Sequence, residues 1–158
     1  MDRFTTQEDV RKMIAEATND IMRKLTDNLA NKQRLNEMAR VGFLDNKAKY
    51  EVYVRTNDGG FIPHVHIWDS ATCGEEFDCC VKLETNEYFF HGHHTDRMNA
   101  KMCRAFAEFM EQPCRSPRYK NNYELAVEMW NLNNSDTYVQ IKEDSNGNVI
   151  MPNYRKIF

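Results

Sequence analysis

Lys49-Tyr50-Glu51-Val52-Tyr53-Val54-Arg55, then Asn57-Asp58-Gly59-Gly60, then Phe61-Ile62-Pro63-His64-Val65-His66-Ile67-Trp68: this run decides the fold. Tyr50, Val52 and Val54 alternate with Glu51, Tyr53 and Arg55, the period of two of a half-buried strand. Asn57-Asp58-Gly59-Gly60 supplies residues that tolerate positive φ, and so reads as a hairpin turn. The second strand covers 61–68. Pro63 lacks a backbone donor, so this strand is expected at a sheet edge or without a donated bond at that point.

Working outward, a third strand is expected over 77–84 and a fourth over 88–93, separated by a tight turn at Asn86. Consecutive strands usually neighbour one another, which gives a four-stranded antiparallel meander. Upstream, Val10, Met13, Ile14, Ala17, Ile21, Met22, Leu25 and Leu29 recur in steps of three and four, predicting a long amphipathic helix from about Thr6 to Met38. Gly42 ends the helical pattern. Downstream, Met98, Met102, Ala105, Phe106, Phe109 and Met110 form one helical face, with Asp96 as the expected N-cap and Pro113 beyond its end. A second helix is expected from Asn122 to about Leu132. Asn146-Gly147 then marks a short hairpin or a mobile tail. The fold class is therefore α+β: a long N-terminal helix, a sheet of about four antiparallel strands, and two C-terminal helices packed on one sheet face. The expected divisions are 1–40, 47–135 and 136–158.

The bulk numbers narrow the function. The chain has 158 residues, a net charge of -3 and a 28% charged fraction. Its pI is near 6.0, which argues against a general polyanion binder and disfavours nucleic acid or nucleotides as partners. No apolar run approaches the roughly 18 residues of a membrane span. The N-terminus has no signal-like apolar core, so a cytoplasmic location is expected, with no membrane partner and with the five cysteines as reduced thiols.

All five histidines lie between His64 and His94, together with Cys73, Cys79 and Cys80. Alternate residues of a strand share a face, so His64 and His66 point one way while Val65 and Ile67 point to the core. The same rule groups Cys80 with Asp78 and His91 with His93. Imidazole and thiolate are zinc ligands, which makes His64, His66, Cys80, His91 and His93 a candidate metal set, with zinc as the cofactor it would suit. Without metal, His66 and His93 would be candidate catalytic acid–base groups. A solvated face of histidines with no function is the third possibility. Arg115, Arg118, Lys120 and Tyr119, in a proline-flanked loop, are candidate substrate contacts or simply a solvated turn.

Ile62-Pro63-His64-Val65-His66-Ile67, followed by a strand and a helix, resembles a group of small bacterial and phage domains of unknown function. Those domains carry a Pro-His-x-His strand and occur in toxin–antitoxin or mobile-element settings. The likeness spans about Tyr50 to Trp130 and implies a compact α+β domain. This chain adds the His91-Gly92-His93-His94 run and the long helix. His64-Val65-His66-Ile67-Trp68 also looks like the strand of histidine-triad nucleotide hydrolases, with Trp68 in place of the third histidine. His93-His94-Thr95 is similar to one of the two elements of two-histidine phosphoesterases.

Two functions are consistent with these features. One is an interaction protein of phage or mobile-element type that inhibits or regulates a host defence machine through a protein partner. The other is a histidine-dependent, optionally zinc-dependent, phosphoester hydrolase of nuclease or cyclic-nucleotide class. The seam Val10, Ile14, Ala17, Ile21 and Leu25 adds an expected homo-oligomer, unless the stripe packs on the chain's own sheet.

Overall fold

A computed structural model describes residues 7–37, 39–55, 62–134 and 136–158, and the side chains of the first helix as far as Leu25. The element order is α1 (Gln7–Glu37), β1 (Ala39–Phe43), β2 (Tyr50–Val54), β3 (His64–Asp69), β4 (Asp78–Lys82), α2 (Ala100–Glu111), α3 (Asn122–Asn133), β5 (Lys142–Glu143) and β6 (Val149–Ile150). The architecture is α+β, as the sequence predicts. The chain forms two compact units, Met1–Leu35 and Asn36–Phe158.

The first unit is the helix α1. Its acidic first turn, Glu8 and Asp9, complements the helix dipole. Every side chain from Gln7 to Leu25 is exposed, the apolar seam included.

In the second unit the sheet runs β1-β2-β3-β4, antiparallel throughout. Its strand set differs from the expected one at both ends. Ala39 to Phe43, expected to lie where the helix ends, forms strand β1. A register shift between Arg40 and Gly42 breaks its alternation and hides it from a period-two reading. Tyr88 to His93, expected as the fourth strand, pairs with β4 only at the bridge Val81–Tyr88 and through Phe89 N–H donating to Cys80 O. Gly92 then turns the chain, and the segment leaves the ladder. The turn at 57–60 lies outside the described residues. Pro63 immediately precedes β3, a central strand, and its carbonyl accepts from Leu83 N–H at 2.9 Å. The reciprocal bond from residue 63 to Leu83 O is missing, as expected of proline, and that carbonyl accepts instead from the hydroxyls of Tyr123 and Tyr154.

One sheet face carries Val52, Val54, Val65, Ile67, Cys79 and Val81, packed with Phe106, Met110, Ala126 and Trp130 of α2 and α3. Helix α2 is capped by Asn99, whose side chain accepts from Met102 N–H. Asp96, the expected cap, instead accepts from Asp78 N–H at 2.8 Å. Asn121 caps α3. Near the end of the chain, β5 and β6 pair as a short hairpin around Gly147, and Tyr154 is buried in the core with its hydroxyl on Lys82 O.

Candidate metal centre

Pairing fixes what shares the opposite sheet face. His64 stands opposite Lys82, His66 opposite Cys80, and Trp68 opposite Asp78, while Tyr53 lies opposite His66 on the other side. This is the alignment expected of alternate residues on antiparallel strands. The face is not solvated, however. His64 is 1% exposed, His66 0% and Cys80 1%. The irregular segment after Tyr88 supplies part of the cover: Phe89 and His91 lie 4.7 and 5.0 Å from His64, ring to ring, and His94 lies 4.6 Å from His66. Tyr53 stacks on His66 from the opposite flank at 4.8 Å.

The turn at Gly92 decides which histidines arrive. Its φ of +53° is the left-handed conformation that glycine adopts without strain. His94 N–H donates to His91 O at 2.9 Å, closing the turn and setting His91 and His94 side by side. An extended strand would have paired His91 with His93. His93 is exposed, and His94 takes the inner place. The signal for this was the glycine inside His91-Gly92-His93-His94.

Among the described residues, two sets of four side chains have ligand atoms within 4.8 Å of one another: His64, His66, Cys80 and His91, and His66, Asp78, Cys80 and His94. Ligands around a tetrahedral zinc, with bonds of about 2.0–2.3 Å, lie roughly 3.3–3.8 Å apart, so either set needs only a small contraction to close on an ion. Of the five residues expected to ligate, four form the first set. His93 belongs to neither.

Hydrogen bonds orient the rings. His64 Nδ1 lies 2.7 Å from Ile62 O, and His91 Nδ1 lies 3.2 Å from Phe89 O. A carbonyl oxygen only accepts, so each Nδ1 carries the proton and each Nε2 carries the lone pair that a metal would take. His94 Nδ1 is 2.6 Å from Asp78 Oδ1, the carboxylate version of the same arrangement. Outer groups of this kind fix tautomer and direction at metal-binding histidines. His66 Nδ1 is 3.1 Å from Cys80 Sγ, so nitrogen and sulfur stand side by side. Burial pushes the Asp78 carboxyl above the usual carboxylate range, against the pull of the His94 hydrogen bond and of Arg55. Cys79, next along the strand, faces the core, and burial keeps its thiol protonated.

A polar cavity of about 660 Å³ opens beside the second set. Asp78, His93 and His94 line it, with Arg55, Glu75 and Asp96. The candidate substrate residues of the 113–120 loop are in neither ligand set and do not line this cavity. Arg115 donates to Arg40 O at 2.6 Å, and Lys120 bonds Glu143 and Gly147 O, so two of the four brace the fold. Tyr119 is partly buried against the core, and Arg118 is exposed. No helix among the described residues is long and apolar enough to cross a membrane. The chain matches no protein-family model, no curated protein and no solved structure.

Proposed function

We propose that this chain is a zinc-binding interaction protein, in which the ion ties the segment carrying His91 to the sheet and the assembled body serves binding. The observation that carries this reading is the convergence of buried His64, His66 and Cys80 with half-buried His91, two of the rings oriented by backbone carbonyls. Three imidazoles and a thiolate suit zinc over magnesium or calcium, which prefer oxygen. Four protein ligands also complete a tetrahedral shell, the pattern of a structural site.

The helix α1 supplies the second half of the proposal. Val10, Ile14, Ile21 and Leu25 are 44, 61, 59 and 53% exposed on one seam. Covering a Leu or Ile side chain is worth roughly 1.5–3 kcal/mol, and charged neighbours such as Glu8, Arg11 and Lys24 suit the rim of a helix pair, so a second copy of the chain is the partner proposed there. In the mobile-element setting that the Pro63–His66 strand resembles, the body would engage a host protein by direct contact.

Elemental analysis of purified protein is the deciding measurement. One zinc per chain is expected, lost in His66→Ala and retained in His93→Ala. Absence of stoichiometric metal overturns the reading. Light scattering on the wild type and on Ile14→Asp/Ile21→Asp tests the pairing. A wild type that is monomeric at every concentration removes the self-association. A hydrolase is the second reading, favoured by the Asp78–His94 pair on the cavity. Turnover of RNA, DNA or cyclic nucleotides that needs His66 and His94 would install it in place of the first.

A further inference from the structure

We propose that the ion reaches its closed site through the cavity beside Trp68, by way of a transit position made of His66, Asp78, Cys80 and His94. The inference rests on the zinc reading above and deepens it. His64, His66 and Cys80 are at most 1% exposed, and the Nε2 atom of half-buried His91 is itself buried, so an ion has no direct approach to the inner set from solvent. Asp78 and His94 do line the cavity, and they complete a second ligand set that shares His66 and Cys80 with the first. Passage from one set to the other exchanges Asp78 and His94 for His64 and His91. The thiolate and one imidazole stay bound throughout, so a divalent charge never sits in the buried layer without ligands, a state that would be very costly.

Charge and ligand softness give the route a direction. Glu75, Asp78 and Asp96 line the cavity against one arginine, Arg55, and an anionic cleft concentrates cations at its mouth. Three imidazoles and a thiolate then hold zinc better than a set in which a hard carboxylate replaces one imidazole. The ion therefore passes the outer set and rests in the inner one. At the outer set, the 2.6 Å contact between His94 Nδ1 and Asp78 Oδ1 holds both side chains in place before an ion arrives.

The test is the kinetics of cobalt(II) loading into metal-free full-length protein, and of its removal by chelator, followed through thiolate absorption. Asp78→Asn and His94→Gln are expected to slow loading and removal by about tenfold, the lower end of what a focusing cleft contributes. Both should leave one cobalt per chain and an unchanged final spectrum. Arg55→Gln, which removes the cation from the route, is expected to speed loading with an unchanged urea midpoint, whereas damage to the fold would speed it only together with a lower midpoint. Unchanged rates in all three variants overturn the proposal. So does an altered final spectrum in Asp78→Asn, which would make the outer set the resting site, and so does tight binding of two cobalt ions, which would make the sets simultaneous. Failure of the wild type to take up any cobalt overturns the zinc reading itself, a result distinguishable from the others.

Discussion

Cys79 and Cys80 are neighbours in β4 and equally buried, at 0 and 1% exposure, yet they belong to two different chemistries. Cys79 points among Val52, Ile67, Val81 and Phe106, where a thiol acts as a small hydrophobe. Cys80 points to the other face, 3.1 Å from an imidazole nitrogen, in a layer that holds His64 and His66 at the same depth. Depth alone does not distinguish a core from a site. The apolar face gains stability simply by leaving water. The imidazole face must have each polar atom answered, and its stability depends on what answers it.

The largest expected effect breaks the apolar face. Ile67→Ala should lower unfolding free energy by about 2–5 kcal/mol in urea titrations, and by the same amount with zinc or with chelator present. The matched change on the other face, His91→Ala, should cost clearly more in zinc than in chelator. Equal costs under both conditions would show that the two faces are stabilised alike, and the contrast would be lost.

A second, smaller effect lies where the imidazole face meets its cavity. Gly74 has φ +89°, and a Cβ there would stand 2.6 Å from Trp68 Cε3 and 3.0 Å from Asp78 Oδ2. Gly74→Ala should cost about 1–3 kcal/mol for the backbone conformation alone, read as a lower urea midpoint. Unchanged stability would mean that Trp68 and the loop yield freely.

The third prediction is a gradual one, and it sharpens the reading of the apolar side. Burial pushes the hydroxyls of Tyr88 and Tyr123 up to about 12. In the unfolded chain tyrosine ionises near pH 10, so above that the unfolded state releases protons that the folded state keeps. The contribution is fully present below pH 10 and is lost as pH rises toward 12. Tyr123→Phe, which leaves no proton to lose, should flatten this decline in a denaturation series. An identical slope in the variant would exclude Tyr123 as a cause.

How much of this was legible beforehand follows from where the chain is regular. Tyr50 to Val54 and His64 to Trp68 keep strict alternation, and the pairing of His66 with Cys80 follows from it. Strand β1 was not legible, because the irregularity between Arg40 and Gly42 spoils its period directly after a long helical pattern. His94 was missed for a related reason. Extending a strand through Gly92 sends His94 to the wrong face, whereas a turn there brings it inward. Asp96 looked like a helix cap by position, but its carboxylate is taken by Asp78 N–H and Asn99 does the capping. Local periodicity reads regular elements; the site depends on a departure from it at Gly92.

The turn through Gly92 also bears on heredity. His91 and His94 face each other across it, and the ligand set that each completes depends on a spacing of three. Gain or loss of one codon there would rotate one imidazole out of the layer, although composition and hydropathy would hardly change. The same event in the exposed turn between β5 and β6, where Gly147 N–H reaches Asp144 O, would alter a short surface hairpin and its bonds to Lys120 but none of the ligand side chains. Among sequences that descend from a common ancestor with this one, length variation should therefore collect at the second turn and be purged from the first.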